Sequence, residues 1–497
     1  MSKKKYKNTS SNAPQALNQI NQIRQSMQTN QQVQLQPVAN KQTIKILAWG
    51  ASPLVITGFG VVMKEILTNL FNNYAGKYEV RQVGINYFGD AFDPNQIVGS
   101  PSNGIYQQWP AMQAHTSAPV HQYGQHKFLQ LLSSIDPRLI DTVFLFEDPF
   151  LIGGNILGSN DGFIDKIKDI LNSRGLGHVP IVAYFPIDGI PKAAWLNQIN
   201  KVEFPITYLN FGRQLSIEAC PDIEKKLSSI PHGINTKEFF PISKEESRRF
   251  RRVMFGDAFV DKFMCLNVNR NQPRKMLPAT LMAFAEFKKA VGDNTFLYMN
   301  MKPVDVGWNL PEVCNSLGLV IGKDVIFPPN FNVQVGLSIS ELNQVFNTAD
   351  LLLTSATGGG WEFALTQAFA TKTCVIAPAN TSHTELCGDQ NDIEKVRGVL
   401  YASGNTLSLK CVFPNDNDVI RPLPNVEDML QKMLFIYNNP QVKAKIEDNA
   451  YNWVTSTINW NTNVVPMFDQ VFSYAYNLKN KREQEILNQR KLAQQSL

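Results

Sequence analysis

Two stretches of this chain pass from an apolar run into residues that could do chemistry. The first is Asn267-Val268-Asn269-Arg270-Asn271-Gln272-Pro273-Arg274-Lys275. An apolar run over 263–268 predicts a buried strand that hands directly to Arg270, and Lys275 opens a helical pattern over 275–290. A guanidinium fork and an ammonium at the carboxyl end of one strand can neutralise a diphosphate leaving group. The plain alternative is a solvated basic loop. The second stretch is Ala356-Thr357-Gly358-Gly359-Gly360-Trp361, set between apolar residues 351–353 and a short helical pattern over 362–370. Three glycines permit φ > 0 and let amide N–H groups approach a ligand. The helix that follows turns its positive end the same way. A phosphate or polyol fits there, and so does a tight turn with no ligand.

Other candidates are weaker. Asp188, in Tyr184-Phe185-Pro186-Ile187-Asp188-Gly189, stands just beyond a buried strand; it suits a sugar hydroxyl, a proton, or a turn cap equally. His232 reads as a turn or packing histidine near a domain join. His121 and His126 flank Gly124, which argues against the helix that a metal pair at this spacing needs. Gly58-Phe59-Gly60-Val61-Val62-Met63 half matches a dinucleotide fingerprint. Met63 replaces its third glycine and no acid ends the next strand, so NAD binding is disfavoured.

The elements that must position these residues are legible as alternating patterns. Strands are predicted over 43–50, 78–86, 142–146, 181–185 and 206–209, then over 263–269, 295–299, 325–327, 351–355 and 372–378. Helical patterns separate them, one opened by the capping box Ser338-Ile339-Ser340-Glu341. This is α/β, two doubly wound parallel sheets facing a cleft. We expect a disordered polar tail over 1–42, a first domain over 43–243 joined near 241–252, a second over 244–455, a crossing helix over 456–480, and a polar tail over 481–497.

Composition narrows the function. Against 42 acidic residues stand 47 Lys and Arg, a net charge of +5 over 497 residues, too slight a surplus to argue for nucleic acid. Six scattered cysteines without a CxxC pair fit small core residues in a reducing compartment. With no long apolar run and no leader pattern, the expected setting is cytoplasmic, with peripheral membrane contact left open.

Over about residues 43–475 these pieces resemble the GT-B glycosyltransferases, in particular the retaining family 4. Four segments carry the likeness: Ile230-Pro231-His232-Gly233-Ile234-Asn235 through Phe240-Pro241 as the connector; Arg270 and Lys275; Gly359-Gly360-Trp361 through Gln367-Ala368-Phe369-Ala370; and the Trp460 region as the terminal helix. The family's two donor glutamates fall on Gly359 and Gln367 here. Glu362 stands three residues beyond, and Asp188 is nearest to the family's first-domain histidine. The resemblance implies a nucleotide-diphosphate sugar donor of UDP or GDP type, no cofactor or metal, and a glycan, lipid or protein acceptor. Arg270 and Lys275 would hold the departing diphosphate. Gly358, Gly359 and Gly360 would meet phosphate or sugar oxygens, with Glu362 beside them and Gln367 on the ribose. Asp188 and the loop of Gly58 and Gly60 would face acceptor and sugar. The replaced glutamates motivate a competing reading, an inactive descendant that binds nucleotide sugar or glycan as a scaffold.

Overall fold

The computed structural model describes residues 43–112, 121–329, 331, 336–413 and 416–495. The tail expected over 1–42 lies outside them.

The first sheet is parallel throughout, in the order β3-β2-β1-β4-β5-β6-β7. Its strands are β1 (Ile44–Ala51), β2 (Tyr78–Ile85), β3 (Gly104–Pro110), β4 (Thr142–Phe146), β5 (Ile181–Phe185), β6 (Phe204–Thr207) and β7 (Ser228–Ser229). The second sheet is also parallel, in the order β10-β9-β8-β11-β12-β13. It comprises β8 (Phe263–Asn267), β9 (Thr295–Met299), β10 (Val325–Ile326), β11 (Leu351–Leu353), β12 (Cys374–Pro378) and β13 (Val399–Tyr401). A separate antiparallel hairpin joins β14 (Lys410–Val412) to β15 (Ile420–Pro422).

Both faces of each sheet are covered, which explains the unbroken apolar strands. In the first sheet Leu47, Trp49, Leu145 and Ala183 enter one core, while Ile46, Ala48, Phe144, Phe146 and Tyr184 enter the other. In the second, Cys265, Leu297, Leu353 and Ile376 face away from Leu266, Tyr298, Leu352 and Val375. All six cysteines are free and five are buried. Sequence patterns miss β3, β7, β13 and the hairpin. β3 is an edge strand with only Tyr106 buried, and the other strands have only two or three residues each.

The charged stretch read as the join is largely a helix, Lys244–Phe255, opened by a Ser243–Glu246 capping box. It is tied into the second half: buried Arg251 donates to the carbonyls of Thr348 and Lys262 and pairs with Asp350 at 2.6 Å. The connector therefore precedes it. There the Ile234 amide donates to Ile458 at 2.8 Å, and Gly233 leaves room for the buried Trp460 ring.

The chain then returns to the first sheet as one helix, Val465–Gln495. Asp469 accepts from Lys77 and from the Tyr78 hydroxyl, each at 2.6 Å, and Phe472 stands edge-on to Tyr78 and Phe144. The helix runs into the expected polar tail as far as Gln495. Lys479 pairs with Asp141 at 3.1 Å, Arg482 with Glu203 at 3.3 Å and His178 with Glu483 at 2.9 Å, which carries it past residue 480. No helix among the described residues is long and apolar enough to cross a membrane. Phe472→Ala should cost about 3–5 kcal/mol in urea unfolding, the usual range for a buried phenylalanine. A cost under about 1 kcal/mol would show that this helix adds little to the first domain's core.

Candidate active site

A cavity of about 400 Å³ lies where the carboxyl ends of the two sheets meet. The first half supplies Gly58 and Phe59, Phe146 at the end of β4 and Asp148 beyond it, Pro186 and Asp188 after β5, and Tyr208 after β6. The second half supplies Arg274 and Lys275 after β8, residues 359–363 after β11, and Asp416, Val419 and Arg421 from the hairpin. Two helices begin at it. Thr57 caps Gly58–Asn73 by accepting from the Gly60 amide at 3.1 Å, and Phe363–Ala370 starts opposite, its Phe363 ring 3.6 Å from where a Gly58 Cβ would stand.

The basic turn after β8 is held by its neighbours. Asn271 donates to the Pro303 and Trp308 carbonyls and accepts from the Trp308 amide, which pins the loop to the 303–308 segment. Arg270 then pairs with Asp305 at 2.8 Å, half exposed, and is not part of the cavity wall. A 3-10 turn, Pro273–Lys275, and left-handed Met276 (φ 44°) reverse the chain, so the helix begins at Leu277 rather than Lys275. Thr357 donates to the Arg274 carbonyl through both its amide (2.8 Å) and its hydroxyl (2.9 Å), and the Ser355 hydroxyl lies 2.9 Å from the Lys275 carbonyl. This lock brings Arg274 and Lys275 to the cavity. Arg274 donates to the Gly358 carbonyl at 2.9 Å and makes no ion pair among the described residues. Lys275 is buried against the carboxylate of Glu362.

Gly359 and Gly360 are required by space rather than by dihedral angle, whereas Gly358 (φ 159°) is constrained by both. Neither Gly359 nor Gly360 has φ in the left-handed region. A Cβ on Gly358 would collide with the Asp188 carbonyl, and one on Gly360 would fall 2.5 Å from the Pro186 side chain. The Gly359 amide donates to the Thr381 hydroxyl at 3.1 Å, so it is already engaged. Gln367 sits further along the helix, half-buried, and is not part of the cavity wall. Gly60 is needed locally, because a Cβ there would meet the Ser52 carbonyl at 2.8 Å.

Asp188 is held across the cleft. Buried Arg421 donates to its carbonyl at 2.5 Å and pairs with its carboxylate at 3.1 Å and with Asp416 at 2.7 Å. Burial alone would lower the Arg421 pKa, but the two carboxylates outweigh it and raise it. His232 lines the cavity, with its ring centroid 4.0 Å from Tyr208, 5.3 Å from Trp361 and 5.5 Å from Phe363. Burial pushes its pKa well below the usual range, so the imidazole is neutral at pH 7. His121 and His126 pack edge to face at 4.6 Å, away from the site.

Sequence reasoning missed Asp148, Arg274 and Arg421. Asp148 had a readable signal, an acid two residues beyond the apolar run 142–146, after Glu147. Arg421 had none, since its hairpin is too short to show a pattern.

No protein-family profile and no curated protein matches the sequence. Solved structures do. Sucrose-phosphate synthase from Thermosynechococcus elongatus superposes with a TM-score of 0.61 at 14% identity, over 88% of this chain and 99% of that one. HepE from Anabaena in complex with UDP and glucose gives 0.57 at 14% identity, over 86% and 99%. A glycosyltransferase from Rickettsia africae gives 0.58 at 14% identity, over 88% and 99%. The fold is GT-B. At this identity the likeness is one of architecture, two Rossmann-like domains about a cleft.

Asp148 gives the site a pH signature. Burial and the nearby Asp188 carboxylate raise its pKa from 3.8 to about 7, against the pull of Arg274 and Arg421, and burial and Asp148 raise the adjacent Glu147 in the same direction. The folded chain therefore keeps a proton that the unfolded chain releases between about pH 4 and 7. Stability from this group is complete below that window and declines as pH rises through it. Asp148→Asn should melt with a smaller fall in Tm than the parent between about pH 5 and 7. Identical falls would show that Asp148 titrates alike in both states.

Proposed function

We propose that this protein moves a sugar from a nucleotide-diphosphate sugar, of UDP or GDP type, to a glycan, lipid or protein acceptor. The observation that carries this reading is Arg274 and Lys275 locked side by side at the carboxyl end of β8, facing the cavity between two GT-B domains. Ligands of doubly wound sheets bind at the carboxyl ends of the strands. There the two cations would meet the negative charge that grows on a departing diphosphate, already oriented and shielded from water. Arg274 presents the fork that matches phosphate oxygens. Phe59, Phe150, Trp195 and Tyr208 line the first-domain side, where sugar rings and an acceptor would lie against apolar faces. In this reading the reaction retains configuration and needs no resident metal. HepE was crystallised with UDP-glucose, which favours a uridine donor as the first trial.

One observation favours the second reading, a scaffold that binds without turnover. Lys275, Arg421 and Arg270 each face a carboxylate already, which leaves Arg274 as the wall's cation without an ion pair among the described residues.

Release of nucleoside diphosphate from UDP-glucose, GDP-mannose and ADP-glucose, with water and pooled glycan or lipid acceptors, tests the proposal. The parent should release one of them. Arg274→Ala should lower the rate by about 10²-fold or more with little change in Tm. Equal rates in parent and variant would remove Arg274 from the chemistry. Binding without release would favour the scaffold.

A further inference from the structure

The two halves of the cavity wall differ in chemistry. Among the described residues, every lysine and arginine in the wall (Arg274, Lys275, Arg421) belongs to the second half. The first half supplies aromatic rings and the carboxyls of Asp148 and Asp188, with no lysine or arginine. A phosphate or carboxylate held on that side would be buried without a cation of its own, which is costly. Lys275 and Arg421 are already paired, and Arg274 faces the place given above to the diphosphate.

Two of the first half's rings form a fixed pair. Phe150 and Trp195 both line the cavity and are half-buried, with ring centroids 6.2 Å apart and planes at 54°. Each stands on a short helix, Pro149–Ile152 and Ala193–Ile199. Their helical neighbours Leu151, Ile152, Leu196 and Ile199 are buried in one core, which anchors both helices. The chain just after the first helix lies directly on the second: a Cβ on Gly153 would collide with the Trp195 carbonyl. Packing therefore sets the two rings before any ligand arrives, so binding need not order them. Lys192 stands 5.4 Å from the Trp195 ring centroid, but it is not part of the wall and pairs with Asp418 at 3.1 Å.

A pyranose ring has an apolar C–H face and a rim of hydroxyls. The C–H face fits the negative face of an aromatic ring, and the hydroxyls can bond to nearby carboxyl oxygens. We propose that Phe150 and Trp195 are the platform for the acceptor, and that the acceptor is the uncharged pyranose end of a glycan rather than a sugar phosphate or another anion. This rests on the nucleotide-sugar reading and narrows its acceptor to one chemical class.

Saturation-transfer NMR on the full chain, loaded with UDP or GDP, compares methyl glucosides, maltose and cellobiose with the phosphate monoesters of glucose and fructose. The parent should bind at least one uncharged sugar, and neither phosphate monoester more tightly. Trp195→Ala should weaken that sugar by about tenfold or more and leave nucleotide affinity within about threefold, while Trp195→Phe should recover most of the loss. A sugar phosphate bound more tightly than the uncharged sugars would overturn the proposal. So would unchanged sugar binding in Trp195→Ala, an equal loss for sugar and nucleotide, or a Trp195→Phe variant that recovers nothing. Nucleotide binding with no sugar bound would remove the platform and leave the donor site standing. Failure of the parent to bind UDP or GDP is a separate result, which would sink the nucleotide-sugar reading and this platform with it.

Discussion

The cavity depends on how closely two turns approach each other across the cleft. Pro186 to Asp188, after β5, lies against Gly358 and Gly360, after β11, with no room for a methyl group at either glycine. Arg421 then closes the contact by bonding Asp188 from the hairpin while Asp416 holds it from behind. Side chains at 358 or 360 would force the turns apart. Lys192 and Asp418 add an exposed pair at 3.1 Å beside the same contact, which screening by water and salt makes weak.

That approach also explains the charge pattern inside. Four carboxylates (Asp148, Asp188, Glu362, Asp416) and three cations (Arg274, Lys275, Arg421) line one small space. Buried charges are costly unless paired, and removing one partner strands the other. Pairing is nearly complete: Glu362 with Lys275, and Asp188 and Asp416 with Arg421. Arg274 is bonded to a carbonyl and Asp148 is pushed toward its protonated form. These two groups are the ones without an ion pair among the described residues, one a cation for an incoming anion and the other an acid for a hydroxyl.

The fold was legible because buried parallel strands write long apolar runs. β1, β4, β5, β8 and β12 appear in the sequence within a residue or two of their observed bounds. The edge strand β3 and the hairpin were not, because a strand with a solvated face or only three residues has too little pattern to read. The site was legible by neighbourhood more than by residue. Lys275 and Glu362 reach the cavity, but Arg270 does not, since Asn271 anchors its loop and leaves it to Asp305, with Arg274 four residues later in its place. Turn geometry of this kind depends on contacts with 303–308 and 354–357, which no local pattern announces. The glycines were noticed for the wrong property: their φ angles are mostly ordinary, and tertiary crowding is what requires them.

The most direct measurement is calorimetric titration of the full chain with UDP, GDP and ADP. If the cavity is a donor site, one nucleotide binds saturably at one site per chain, and Arg274→Ala weakens it by at least about tenfold, the scale of a lost charge-assisted phosphate contact. A folded protein that binds none of the three would contradict the account.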